Sequence, residues 1–261
     1  MRIARILYAV LLLAAAPAGA VQVSIPSPDG VALRAVLELP PGPATGFGIV
    51  MLHSCGGAFG RTDMQWMDLM RRDGHPVLAV DSFGSRGLVA QCQVPRDQRR
   101  AAPGTVRRGD ALASAAWLAA RPETPPGGVV LMGWSDGGSA VLAAASPAPD
   151  IRPGLLRGFV AFYPVCELAA QNPGWHPSAP MLILSGEADR RAPTGPCRGL
   201  AARAPGIKLV SFPGVGHYFD APRGPGWLRS HAGRTTDADA AAREAVLVQV
   251  PAWLAALPAL R

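Results

Sequence analysis

The pentapeptide Gly-Trp-Ser-Asp-Gly at 133–137 has the residue types of a sharp turn that exposes a serine hydroxyl. It follows the apolar run at 129–132 and precedes an alanine-rich stretch, so a strand should lead into the turn and a helix should leave it. Glycines two residues before and two after Ser135 let strand and helix approach without a clash of Cβ atoms. We therefore predict that Ser135 is a nucleophile; the alternative is an ordinary glycine-rich turn.

A serine hydroxyl is too weakly acidic to attack a carbonyl carbon without a base, and the base needs a group that orients it. His217 is the candidate base because it lies in a glycine-rich loop between the last predicted strand and the last predicted helix. Asp189 is the candidate orienting carboxylate, and Glu187 is the second choice. As alternatives, backbone hydrogen bonds can hold a loop histidine, and a loop carboxylate can cap a helix or pair with Arg190 or Arg191. The order serine, aspartate, histidine, each after its own strand, favours a catalytic triad.

Acyl transfer by a serine also requires two backbone N–H groups that point at the developing negative charge. One is expected from Asp136, the residue after the nucleophile, and we assign its side chain no part in proton transfer. The other is expected from the loop after the apolar run at 48–52, where Cys55 is the first choice and Ser54 the second. We predict Asp136 and Cys55 as the residues that bind the oxyanion.

Short apolar runs alternate with longer helix-like stretches from about residue 47 onward, which predicts an α/β fold with a mostly parallel sheet and helices on both faces. The predicted strands are 21–25, 32–39, 48–52, 77–80, 129–132, 158–162, 181–184 and 208–212. The predicted helices are 62–72, 105–120, 137–145, 196–204 and 237–257. The first two strands are expected to form an antiparallel hairpin, and Pro251 is expected to interrupt the last helix. Ser135, Asp189 and His217 then lie at carboxyl ends of strands, where open parallel sheets bind ligands.

The N-terminal segment at 1–20 has the pattern of an export signal that is removed. Arg2 and Arg5 precede an apolar stretch at 6–16, and the small residues at 18–20 resemble a cleavage site. We expect cleavage after Ala20, a periplasmic or secreted protein, and one domain over residues 21–261. The alternative is an uncleaved membrane anchor, although the apolar stretch is shorter than the ~20 residues that cross a bilayer.

The charge distribution and the lack of metal-binding patterns exclude two kinds of partner. The formal net charge is +7, and arginines scattered over 61–234 supply most of the positive excess. They form no Lys/Arg-rich run and no basic helix with interleaved aromatic residues, so we predict no nucleic-acid partner. The sequence contains no CxxC pair and no histidine-rich pattern, so we predict no metal site.

Six segments of the sequence resemble the dienelactone hydrolase family, particularly its exported members with a serine nucleophile. They cover nearly the whole chain after residue 20 and are LHSCGG at 52–57, DSFGSRG at 81–87, GWSDGGSAVL at 133–142, AFYPVC at 161–166, GEAD at 186–189 and GHYFD at 216–220. The resemblance implies an α/β-hydrolase fold with little or no lid, no cofactor, and the triad already inferred. It also implies a small-molecule ester or lactone as substrate.

Two residues are candidates for substrate binding. The resemblance points to Arg86, because the family's lactone substrate carries a carboxylate that arginines grip through paired hydrogen bonds. An equal alternative is that Arg86 anchors its glycine-rich loop to a carbonyl or carboxylate group. Trp134 is the second candidate because it directly precedes Ser135, whereas the other aromatic residues are expected to pack in the core.

The chain has four cysteines, which in an exported protein indicates two disulfides with three possible pairings. In the fold that the resemblance implies, the strands at 48–52 and 77–80 lie side by side, as do the strands at 158–162 and 181–184. Cys55 and Cys92 follow the first two strands, and Cys166 and Cys197 follow the second two. We therefore predict the pairs Cys55–Cys92 and Cys166–Cys197.

Together these features predict two-step acyl transfer, in which Ser135 attacks, His217 accepts and returns the proton, and water releases the acyl group. One alternative is a serine peptidase or a polyester hydrolase on the same fold. A second alternative is a catalytically silent binding protein, although every member of the triad is present. The sequence predicts no oligomeric state.

Overall fold

The computed structural model describes residues 19–222 and 237–258, and an eight-stranded sheet runs through them. The strands are β1 (Val21–Pro26), β2 (Ala32–Glu38), β3 (Gly48–Leu52), β4 (Val77–Asp81), β5 (Val129–Trp134), β6 (Leu156–Phe162), β7 (Met181–Gly186) and β8 (Ile207–Phe212). Their order is β1-β2-β4-β3-β5-β6-β7-β8. β1 is antiparallel to β2 and β2 to β4, and the remaining pairs are parallel. The predicted N-terminal hairpin and mostly parallel sheet are both confirmed.

Helices pack on both faces of this sheet. They are α1 (Arg61–Arg72), α2 (Val106–Ala119), α3 (Asp136–Ala145), α4 (Glu167–Gln171), α5 (Thr194–Arg203) and α6 (Asp237–Ala255). Side chains of α2, α3 and α5 belong to one apolar core, and side chains of α1 and α6 belong to the other. In β3, Val50 and Leu52 face the first core while Ile49 and Met51 face the second. Because both faces are covered, β3 is apolar at every position instead of alternating.

The structure departs from the predicted elements where packing overrides a local signal or an element is short. The expected interruption at Pro251 does not occur, because α6 continues through this residue. Val246 and Val250 are fully buried against the sheet, and this packing offsets the hydrogen bond that Pro251 cannot donate. α4 and the 3₁₀ turns at Gly84–Arg86 and Arg96–Gln98 are too short to show a helical period in the sequence.

The expected leader at 1–20 lies outside the described residues except for its last two positions. β1 begins at Val21, directly after the expected cleavage site, so cleavage there would leave the strand intact. Within the two described ranges, no helix is long and apolar enough to cross a bilayer.

Two disulfides join loops at the edge of the sheet formed by the carboxyl ends of the parallel strands. Cys55 is bonded to Cys92 and Cys166 to Cys197, with Cα atoms 4.9 and 5.2 Å apart. The first bond links the loops after the neighbouring strands β3 and β4, and the second links the loops after the neighbouring strands β6 and β7. These are the pairs that the expected strand order predicts.

Removal of the second disulfide, by Cys166→Ala together with Cys197→Ala, is expected to lower the free energy of unfolding by about 3 kcal/mol. The physical reason is that the bond restricts a loop with a sequence separation of 31 in the unfolded chain. Urea unfolding followed by circular dichroism without reductant measures the change. As a control, thiol titration of the denatured, unreduced wild type should find no free thiol, and detection of free thiols would contradict the pairing.

Candidate active site

Ser135 lies in a strained turn between β5 and α3. Its φ of 52° is in the left-handed region that residues with a side chain rarely adopt, and its N–H donates to the carbonyl of Phe162 at 2.9 Å. The turn is tight, because a Cβ atom on Gly137 would collide with the carbonyl oxygen of Leu52 and one on Gly133 would collide with the backbone of Gly137. Only glycine fits these two positions, and the result is a serine side chain at the carboxyl edge of the sheet.

Ser135, His217 and Asp189 form a continuous chain of hydrogen bonds. Ser135 Oγ lies 2.9 Å from His217 Nε2, and Asp189 Oδ2 lies 2.5 Å from His217 Nδ1. Since a carboxylate only accepts, His217 Nδ1 donates to it and Nε2 is left to accept from the serine. Two backbone N–H groups of the following loop donate to the other oxygen, Asp189 Oδ1, at 2.8 and 3.1 Å. Glu187, the second choice, instead accepts from Arg198.

Asp220, three residues after His217, is a fully buried carboxylate with three side-chain donors. Its Oδ2 accepts from the indole N–H groups of Trp66 and Trp134, both at 2.8 Å, and its Oδ1 accepts from the Tyr163 hydroxyl at 2.7 Å. We call Trp66, Trp134, Tyr163 and Asp220 the Asp220 cluster. Burial raises the pKa of the Asp220 carboxyl, and the three hydrogen bonds oppose this effect because they stabilise the charged form.

The Asp220 cluster connects the segments that carry Ser135 and His217. Trp134 directly precedes Ser135, and the ring of Tyr163 packs against the imidazole of His217 with centroids 4.4 Å apart. Tyr163 has a φ of 37°, so its backbone is strained as well. One buried carboxylate, Asp220, therefore holds the residue before Ser135 and the ring beside His217.

The two segments expected to bind the oxyanion are joined by Arg107. Asp136 is the first residue of α3, so its N–H has no partner within the helix. Its side chain binds Arg107 at 2.9 Å and also binds Arg99. Arg107 donates in addition to the carbonyl of His53 at 2.5 Å, in the loop that leads to Cys55. Complete burial lowers the pKa of Arg107, and the charge of Asp136 opposes that effect.

A cavity of about 370 Å³ opens in front of Ser135. Much of its lining comes from one segment, residues 92–99, that no chemical motif marks in the sequence. The lining residues are Cys55, Cys92, Gln93, Val94, Pro95, Arg96, Arg99, Ser135, Asp136, Val165 and Arg191. The Cys55–Cys92 disulfide and a 2.7 Å hydrogen bond from Gln91 N–H to the carbonyl of Cys55 hold this segment beside the expected oxyanion loop. In the described part of the chain, no group of three or more His, Cys, Asp or Glu could hold a metal ion.

Arg86 and Trp134, the two candidates for substrate binding, do not line this cavity. The Arg86 guanidinium binds Asp110 through two nitrogens, at 2.9 and 2.8 Å, and also binds Asp29. This geometry favours the alternative in which Arg86 anchors its loop. Trp134 is only 1% exposed and stacks on Phe162 with an interplanar angle of 13°. Its indole N–H donates to Asp220, so neither its ring nor its N–H faces the cavity at Ser135.

Solved structures with a similar fold identify its class. The chain superimposes on a dienelactone hydrolase from Anabaena variabilis with a TM-score of 0.67 and 21% identity, over 93% of this chain and 99% of that one. It superimposes on the esterase Pf2001 of Pyrococcus furiosus with a TM-score of 0.63 and 14% identity, over 91% and 92%. For Thermogutta terrifontis esterase 2 the TM-score is 0.58 at 20% identity, over 89% and 95%. The fold is that of the α/β hydrolases, as the sequence predicts.

The sequence profile of the dienelactone hydrolase family matches residues 33–257. The chain belongs to this family and is a hydrolase, which confirms the resemblance carried by the six motifs. No curated protein sequence matches it.

Arg86→Gln tests whether Arg86 anchors its loop or binds substrate. The change leaves the buried carboxylate of Asp110 without its cation, so we expect the free energy of unfolding to fall by about 3 kcal/mol while KM for an anionic ester stays unchanged. Arg108→Gln is the control, because Arg108 pairs with a more exposed Asp150 and its loss should cost less than about 1 kcal/mol. Urea unfolding and ester kinetics measure both effects. A large rise in KM at unchanged stability would favour substrate binding.

Trp134→Phe and Trp66→Phe each remove one N–H donor to Asp220 Oδ2 and keep an aromatic ring. Both should lower the free energy of unfolding by about 1–2 kcal/mol. Only Trp134→Phe is expected to lower kcat, by about tenfold or more, because a shift of the adjacent Ser135 misaligns it with His217. Thermal unfolding and the kinetics of p-nitrophenyl acetate hydrolysis are compared for the two variants. A wild-type kcat in a folded Trp134→Phe variant would contradict a positioning role of the Asp220 cluster.

Proposed function

We propose that this hydrolase cleaves carboxylic esters or lactones through an acyl-enzyme formed on Ser135. The observation that carries the proposal is the hydrogen-bond chain from Ser135 through His217 to Asp189. It supplies a nucleophile, a base in contact with it, and a carboxylate that orients the base. Membership of the dienelactone hydrolase family supports the same class of reaction.

Acylation begins when Ser135 Oγ attacks the carbonyl carbon and its proton moves to His217 Nε2. Asp189 stabilises the resulting imidazolium, since its Oδ2 lies 2.5 Å from Nδ1. The tetrahedral intermediate then expels the alkoxide, which takes the proton from His217 Nε2 and leaves as an alcohol. In a lactone the alcohol stays attached to the acyl group.

Deacylation repeats these steps with water as the nucleophile. His217 takes a proton from water while the water oxygen attacks the acyl carbon. When the second tetrahedral intermediate collapses, Ser135 Oγ leaves and regains the proton from His217. The carboxylic acid is released, and no step requires a cofactor.

The oxyanion that forms in both steps is bound by the N–H groups of Asp136 and Cys55. Loss of one such donor typically costs about 3 kcal/mol of transition-state stabilisation. The distance between the two N–H groups must therefore be held so that both can reach the same oxygen. Arg107 supports a fixed separation because it binds the carboxylate of Asp136 and the carbonyl of His53 at the same time. The Cys55–Cys92 disulfide restrains the second segment covalently.

For the location of the protein, we propose that residues 1–20 are a cleaved leader and that residues 21–261 act as one domain in the periplasm or outside the cell. The two disulfides support this proposal, because such bonds persist mainly in oxidising compartments.

Ser135→Ala, in protein consisting of residues 21–261, is expected to lower kcat for p-nitrophenyl acetate by about a thousandfold or more, since His217 then has no hydroxyl to activate. A fluorophosphonate probe should label Ser135 in the wild type and should not label the variant. Ser211→Ala is the control, because Ser211 lies outside the triad and binds Glu187, and it should retain the wild-type rate.

Two results would contradict the ester-hydrolase proposal in different ways. If the wild type and Ser135→Ala hydrolyse every ester equally slowly and the probe labels neither, the protein is a binding protein with the fold of a hydrolase. If peptide p-nitroanilides or an aliphatic polyester are cleaved much faster than small esters, the same triad serves a peptidase or a polyester hydrolase.

A further inference from the structure

A second cavity, of about 490 Å³, adjoins the cavity at Ser135 and has a largely apolar lining. Its apolar side chains come from α3, from α4 and from the loops on either side of α4. The principal ones are Leu142, Ala143, Val165, Leu168, Ala169 and Trp175. We call it the side cavity. Its volume lies in the range of pockets that bury small organic ligands.

The side cavity borders the cavity in front of Ser135. Arg96, Asp136 and Val165 line both of them, and Asp136 directly follows Ser135. Leu142 lies about two turns further along α3, which is about 10 Å at the helical rise. A group attached to Ser135 can therefore extend along α3 into the side cavity, over a distance that suits a chain of medium length.

The side cavity lies on the acyl side of the proposed site. The departing alcohol takes its proton from His217, so the alcohol must lie next to the loop that carries this residue. The described residues that line the side cavity all fall between 96 and 175, so none of them belongs to the loops that carry Asp189 and His217. Arg96, which lines both cavities, contacts the Asp189 loop by donating to the carbonyl of Arg191 at 3.0 Å. The acyl group, which remains on Ser135 after the alcohol has left, is the part of the substrate that can enter.

Hydrogen bonds hold this lining in place. The N–H of Val165 donates to Ser139 Oγ at 3.0 Å, and the indole N–H of Trp175 donates to the carbonyl of Leu142 at 3.3 Å. Leu168, in contrast, is 78% exposed at the rim. An apolar ligand that covers Leu168 and fills the side cavity removes apolar surface from water, which is a favourable contribution to binding.

We propose that the side cavity binds the acyl group of the substrate, and that preferred substrates are esters of apolar carboxylic acids of medium chain length. This inference rests on the proposed serine-hydrolase mechanism and specifies its substrate class. The apolar lining disfavours a charged or strongly polar acyl group, because such a group would lose its hydration without gaining enough partners.

The acetate, hexanoate and octanoate esters of p-nitrophenol test the proposal, because they differ only in acyl length. We expect kcat/KM of the wild type to rise by about tenfold or more from acetate to hexanoate, as added methylene groups leave water. Ala143→Phe fills the side cavity from a half-buried position on α3 and should cancel most of this rise, with acetate hydrolysis little changed. Ala113→Phe adds the same ring at a half-buried position of α2 that lines neither cavity, and should keep the wild-type profile.

Leu168→Ser provides a second variant with little risk to folding, because Leu168 is exposed. It should reduce kcat/KM for octanoate more than for acetate, and it decides the test if Ala143→Phe does not fold. Thermal unfolding of every variant identifies those that are folded.

Equal kcat/KM for the three esters in the wild type would overturn the side-cavity proposal, as would an equal loss on acetate and octanoate in the folded variants. A preference for hexyl acetate over ethyl hexanoate would place the apolar group on the alcohol side and would overturn it too. Acetate hydrolysis and fluorophosphonate labelling do not require the side cavity. Their failure in the wild type would overturn the proposed function itself, and this inference with it.

Discussion

The hydrogen bonds to Asp220 constrain how the loops around Ser135 can be arranged. A carboxylate removed from water is costly unless donors replace the lost hydration, and here two indoles and one phenol do so. The donors lie on α1, on β5 and directly after β6, while the acceptor lies after β8. A shift of any one donor segment would remove a hydrogen bond from this buried carboxylate. Ser135 directly follows Trp134, and His217 lies three residues before Asp220. The Asp220 cluster therefore restrains the distance between Ser135 and His217.

A second buried ionic group, formed by Asp136, Arg99 and Arg107, lies next to Ser135. A carboxylate one residue from the nucleophile would repel the negative charge that forms on the substrate oxygen. Arg99 and Arg107 both bind this carboxylate, so its charge is compensated at the point where the proposed oxyanion would form. Because both ion pairs involve only the side chain, they do not occupy the backbone N–H that we propose as an oxyanion donor. In the proposed mechanism the two buried networks have different tasks: one aligns Ser135 with His217, and the other compensates the charge of Asp136 and positions the oxyanion segment.

The sequence predicts those parts of the fold and site that leave a local pattern. Apolar runs locate all the strands to within about two residues at each end, and Ser135, Asp189 and His217 stand out because each follows such a run. No local pattern indicates that Asp220 binds Trp66, 154 residues away, because that contact exists only after the crossover helices have packed. The side cavity is hidden for the same reason, since its lining comes from four separate segments. For Arg86 the sequence leaves two roles open, substrate binding and anchoring of its loop. The hydrogen bond to Asp110 on α2 favours the anchoring role.

The placement of the disulfides affects where local unfolding of the native protein is expected to begin. Both bonds link loops at the carboxyl edge of the sheet, whereas the connections at the opposite edge, such as 120–128 and 146–155, are held by non-covalent contacts alone. We therefore expect local opening to start at the amino edge, where fewer constraints have to be broken, and to reach the loops around Ser135 later. The region with the candidate triad is thus expected to be among the last to exchange its amide hydrogens, which is unusual for a site built from loops.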